Sequence, residues 1–113
     1  MEYINKVELL GKVGFSACAQ VGDKYHVSFS LSTCRAYHAA DGQAVVETTW
    51  HNVNLITEHR DFADQLRPGT NVHVLGRLRE HHYTDAVGVI HISWEVCANS
   101  VDIVNEENEE FLL

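Results

Sequence analysis

The chain has 113 residues, 45% of them hydrophobic, and carries 16 Asp and Glu against 8 Lys and Arg, a formal net charge of −8. That length suits one domain with a single core, and such an acidic balance argues against binding that rests mainly on neutralising phosphates. No stretch approaches the roughly 20 apolar residues of a membrane span, and the amino terminus lacks the pattern of a signal peptide, so a cytoplasmic chain without membrane contact is expected.

Residues 3–13 read as a first strand, with Val7, Leu9 and Val13 on one face and Lys6, Glu8, Leu10 and Lys12 on the other. Gly11 and Gly14 mark a bulge or bend within it. After a turn at Gly22 and Asp23, a second strand sends Tyr25, Val27, Phe29 and Leu31 one way and His26, Ser28, Ser30 and Ser32 the other. Residues 33–44 are expected to form a polar loop that carries Arg35 and Tyr37, with a hairpin signal at Asp41-Gly42. The third strand, residues 46–56, places His51, Val53 and Leu55 on one face and Thr48, Trp50, Asn52, Asn54 and Ile56 on the other. Trp50 therefore falls among polar side chains, where a large flat ring near water suits a stacking partner.

Residues 57–66 read as a short helix with Phe62 and Leu66 on its apolar side, stopped by Pro68-Gly69. A fourth strand, residues 71–79, turns Val72, Val74, Gly76 and Leu78 inward and His73, Leu75, Arg77 and Arg79 outward. Residues 81–88 resemble a projecting hairpin tip that presents Tyr83. The last strand, residues 89–96, alternates Ile90, Ile92, Trp94 and Val96 with His91, Ser93 and Glu95, which assigns Trp94 to the core. Residues 105–113 lack periodicity and are expected to be a short disordered acidic tail. The charge is segregated accordingly: residues 102–113 contribute −5 and residues 1–101 only −3.

Three strands, a short helix and two strands is the order of an all-β, five-stranded OB-fold Greek-key barrel with one helix between strands 3 and 4. Its domain is assigned to residues 1–104. Cys18, Cys34 and Cys97 have no C-x-x-C spacing and are expected as reduced, packing thiols. The adjacent His81 and His82 would point to opposite faces of a strand, a poor chelate, so no metal or other cofactor is expected. No nucleophile and base stand at a recognisable spacing, and no enzymatic activity is expected. In an OB barrel, Trp50, Tyr37 and Tyr83 would lie around one binding face, with Lys6, Lys12, Arg35, Arg77 and Arg79 as a track for phosphates.

Several stretches together resemble the bacterial-type single-stranded DNA-binding protein family. They are Asn5-Lys6-Val7-x-Leu9-x-Gly11-x-Val13-Gly14, Thr49-Trp50-His51-x-Val53-x-Leu55, Leu66-x-x-Gly69-x-x-Val72-x-Val74-x-Gly76-x-Leu78-Arg79, Tyr83-Thr84-Asp85-x-x-Gly88 and Glu95-Val96-x-Ala98. The resemblance implies an OB-fold homo-oligomer, a tetramer in preference to a dimer, that coats single-stranded DNA without strong sequence preference during replication, recombination or repair. It implies stacking on Trp50, Tyr37 and Tyr83, with Asn52 and Asn54 on the same face and a subunit contact at His51. Ile56 stands where the family often has a stacking phenylalanine, and Asn52, Glu58, Pro68, His81 and His82 where cations are frequent. In place of the long linker and Asp-rich tip usual in the family, the stretch with Glu109, Glu110, Phe111, Leu112 and Leu113 is expected to act as an abbreviated candidate for recruiting replication or repair proteins. The scarcity of cations keeps a second expectation open: an OB-fold interaction protein with weak DNA binding, resembling the primosomal replication protein N of replication-restart assemblies.

Overall fold

The computed structural model describes residues 1–105; the acidic stretch, with the expectation attached to Glu109, Glu110, Phe111, Leu112 and Leu113, lies outside the described residues. Five strands, β1 (Val7–Val21), β2 (Lys24–His38), β3 (Ala44–Thr57), β4 (Asn71–Thr84) and β5 (Ile90–Ile103), and one helix, α1 (Arg60–Gln65), follow in the expected order. They close into a barrel in the sequence β1-β2-β3-β5-β4, with β4 returning to β1. Every pairing is antiparallel except β3 with β5, which meet in parallel at Val53↔Val96 and Asn54↔Cys97. Past that short seam the β2–β3 and β4–β5 hairpins separate and project as two arms.

The alternation read from the sequence is the barrel's interior. Val13, Val27, Leu31, Val53, Val72 and Val74 are all but sealed from solvent. Helix α1 closes one end with Ala63, joined by Leu66 at its carboxyl-terminal cap, both buried. It is shorter than expected: Thr57 completes β3, and its hydroxyl accepts a hydrogen bond from the His59 amide before the helix starts. Gly69 turns the chain at φ +93°, and its amide then bonds to the Val13 carbonyl, stitching the turn to β1.

The strands run well beyond their apolar alternation. Residues 33–38, expected as loop, extend β2 and pair with β3 as far as His38↔Ala44, which leaves only residues 39–43 as the tip. Arg35 and Tyr37 are therefore strand residues. Residues 81–84 likewise belong to β4, and β5 continues from the expected end at residue 96 to Ile103, paired with β4. Two-stranded arms have water on both faces and need no apolar stripe, so backbone pairing there leaves no periodic trace in the sequence. The same geometry corrects Trp94: it is 54% exposed, because its cross-strand partner is Glu80 on the β4–β5 arm and no second layer covers it. Leu78, assigned inward, is also exposed there. Cys18 and Cys34 are exposed free thiols, not packed ones, and Cys97 is half-buried.

Candidate nucleic-acid interface

The outer face of β1, β2 and β3 is built around one absent side chain. β1 is irregular between Val13 and Ser16, and the Phe15 amide donates to the Ser30 hydroxyl there, at 2.9 Å. The bulge leaves Gly14 beneath the Trp50 indole: a Cβ on Gly14 would stand 2.5 Å from its Cζ3. Trp50 thus lies low across the sheet while remaining 62% exposed. Its row continues sideways through Ser32 to Lys12, each the register partner of the next. With about 4.8 Å between strands, the ammonium stem and the ring start roughly 10 Å apart on one surface.

Below Trp50 the rows are small and polar, pairing Ser30 with Asn52 and Ser28 with Asn54. A groove follows this floor, lined by Phe15, Ser30, Asn52, Asn54, Trp94 and Glu95. Asn54 is the junction. Its Oδ1 accepts from the Ser28 hydroxyl at 2.8 Å and lies 3.3 Å from His26 Nε2, and its Nδ2 donates to Glu95 Oε2 at 2.6 Å. The other carboxylate oxygen, Oε1, accepts from Arg79 Nε at 2.8 Å and from its Nη2. That bond raises the guanidinium pKa above its ordinary value, with smaller contributions from the charges of Cys97 and Glu95. Four strands are thereby linked across the outer surface.

On the β4–β5 arm the same face carries Tyr83, stacked on His91 with ring centroids 4.9 Å apart and planes 15° apart, and flanked by His81 at 6.1 Å. Asp85 organises the tip: its carboxylate accepts from the Val87 and Val89 amides and from His91 Nε2 at 2.7 Å. At the other end of the face, the Asn5 side chain brackets Leu78, donating to its carbonyl at 2.7 Å and accepting from its amide at 2.9 Å. This extends the β1–β4 register (Val7↔Gly76) by two residues and sets Lys6 opposite Arg77. Among the described residues neither of these two cations makes an ion pair. Like charges facing each other repel unless an anion joins them.

The expected site residues therefore divide. Trp50, Asn52, Asn54, Ile56, Lys6, Lys12, Arg77, Arg79 and Tyr83 share the outer face. Tyr37 and Arg35 do not share it with Trp50: register places Ser32 and Trp50 on one face of the β2–β3 arm and Tyr37 with Val45 on the other. There the Arg35 guanidinium carbon lies 5.5 Å from the Tyr37 ring centre. His51 also faces that way, half-buried, with Nε2 2.8 Å from the Thr33 hydroxyl. Sequence reasoning overlooked Phe15, Trp94 and Glu95 as surface-forming groups. Only Glu95 left a usable signal, since its alternation pointed outward. His73 and His91, expected outward, are engaged by Glu8 and Asp85.

A closed five-stranded barrel with one helix between β3 and β4, and with an exposed indole on a polar outer face, defines an OB-fold protein of the kind that presents stacking surfaces. Residues 4–104 match the model of the single-strand binding protein family, and the chain belongs to that family. It is 27% identical over 109 residues to a single-stranded DNA-binding protein of Neisseria meningitidis, an alignment covering 94% of this chain and 63% of that protein. It is 32% identical over 110 residues to one of Xanthomonas axonopodis pv. citri, covering 94% and 61%. The chain thus spans somewhat over three-fifths of the length of these relatives. Among solved structures, the Plasmodium falciparum SSB complex with ssDNA superimposes with a TM-score of 0.79 at 23% identity, covering 93% of this chain and 98% of that one. A small single-stranded DNA-binding protein from Streptomyces coelicolor gives 0.71 at 18% identity, covering 95% and 99%.

Proposed function

We propose that this protein binds single-stranded DNA without strong sequence preference and performs no catalysis, serving replication, recombination or repair in the cytoplasm as a homotetramer. Family membership supports the reading, and one observation carries it: Trp50 lies flat and exposed over Gly14, with a polar floor on one side and Lys12 in its own row. Bases stack on Trp50 and Tyr83. Asn52 offers hydrogen bonds between them, and Lys6, Lys12 and Arg77 meet phosphates. Tyr37 and Arg35 would engage a strand only where it wraps the far face of the β2–β3 arm. Residues 1–104 act as the binding domain, and the acidic stretch at 105–113 as a contact for other proteins.

The test is a titration with oligo-dT, followed by tryptophan fluorescence over a salt series. Quenching is expected, with a slope of log K on log salt of about −2, since three free cations each contribute about −0.7 on a single strand. Light scattering on the same sample gives the subunit number. A second reading, an OB-fold interaction module with little DNA affinity, is favoured by the carboxylate of Glu95 in the middle of the face. Absence of quenching at low salt would decide for it.

A further inference from the structure

We infer that Glu95 limits the charge this interface offers to a strand, by holding Arg79 as an internal partner and balancing its guanidinium charge. The inference rests on the single-stranded DNA reading above and deepens it.

Arg79 has the position of a phosphate ligand: it lies on the outer face, on the strand that carries Arg77 and Tyr83. One edge of its guanidinium is nevertheless already engaged, with Nε and Nη2 both donating to Glu95 Oε1. An exposed ion pair would exchange partners readily, because water screens both members. This pair is built differently. The Glu95 side chain is only 14% exposed, against 54% for Arg79. Its second oxygen is held by Asn54 Nδ2, and Asn54 is itself fixed by Ser28 on β2 and faces His26.

The carboxylate therefore cannot follow Arg79 outward toward a strand. A phosphate can reach the three N–H donors that Glu95 leaves free, but it meets a guanidinium whose charge is already balanced. Taking the group away completely would leave a largely buried carboxylate with one amide donor, which is costly in a poorly solvated site. Seen from the strand, the two groups together are neutral. The face then binds through stacking and the three remaining cations, which accords with an acidic chain. Replacing Glu95 by its uncharged isostere keeps the Asn54 contact and frees one cation.

The experiment measures oligo-dT affinity over a salt series for the full chain, Glu95→Gln, and Glu95→Gln combined with Arg79→Gln. Glu95→Gln should steepen the slope by about 0.7, from about −2.1 to about −2.8, so that about threefold more affinity is lost between 50 and 200 mM salt. It should also bind more tightly than the unmodified protein at the lower salt. The double variant should return to a slope of about −2. An unchanged slope in Glu95→Gln would overturn the inference. So would a steepened slope that persists in the double variant, because the added charge would then not be Arg79. If Glu95→Gln does not fold, the unmodified protein decides: the Arg79 Nε–Hε NMR signal should stay in place at saturating oligo-dT, and its displacement would overturn the inference. Failure of the unmodified protein to bind oligo-dT would instead remove the function on which the inference stands.

Discussion

Gly14 and Trp50 occupy one space: a single added carbon on the glycine would stand 2.5 Å from the indole Cζ3. The ring's tilt is therefore set by a residue on another strand, two positions away across the sheet. Gly14→Ala should tip the ring outward by side-chain rotation while leaving the barrel folded. Binding to oligo-dT should weaken by part of the roughly 1–3 kcal/mol that a stacked base is worth. The thermal midpoint should change little, and tryptophan emission should report the displaced ring. Unaltered affinity together with unaltered emission would show that the contact does not position Trp50.

Trp50 and Tyr37 should separate in their effects, because register puts them on opposite faces of the β2–β3 arm. With an oligonucleotide only a few bases long, Trp50→Ala should lose roughly 1–3 kcal/mol of binding. Tyr37→Ala should lose much less at that length, and more only on longer strands that reach the far face. Equal losses on the short strand would mean that both rings meet the same bases.

The Asn5 bracket should matter to both stability and charge. Asn5→Ala removes two hydrogen bonds to Leu78, each worth about 0.5–1.5 kcal/mol net. Exposure of the site favours the lower figure for each, so a loss of about 1 kcal/mol in urea unfolding is expected. Freed from register with Arg77, Lys6 should also lose its phosphate alignment, and the salt slope should become shallower by up to about 0.7.

Acid should loosen the β4–β5 tip before it opens the barrel. The hydrogen bond from His91, followed by that from the Val89 amide, holds the Asp85 carboxyl below its ordinary pKa of 3.8. A pKa lower in the folded than in the unfolded chain means that this stabilisation is fully present well above 3.8 and is lost as pH falls through the depressed folded value. Amide exchange at Val87 and Val89, referred to the intrinsic rate at each pH, should lose protection before the buried Val74 does as pH drops below about 4. Asp85→Ala should show the same loosening at neutral pH. Parallel loss of protection at the tip and at Val74 would refute this order of events.

The barrel proper was legible because one sheet face is buried. Val27, Phe29 and Leu31, then Val53 and Leu55, then Val72 and Val74, alternate with polar residues because water lies on one side only, and that alternation fixes which way each side chain faces. Trp50, Asn52 and Asn54 could thus be placed together on the outer face from sequence. The arms were not legible to the same degree. Residues 33–38 and 81–84 are held by backbone pairing with solvent on both sides, and the same lack of cover leaves Trp94 in water although its parity matches the buried Val96.

By itself, the sequence determined the order of elements, the inward and outward sets, and the family pattern that Trp50 anchors. All of these follow from contacts a few residues apart or from the period of burial. Only the tertiary structure decided that Gly14 lies under Trp50, that Tyr37 turns away from it, and that Arg79 is already bound to Glu95. Those relationships join strands far apart in the chain, and they depend on a bulge, on register and on a two-residue seam that no local periodicity encodes.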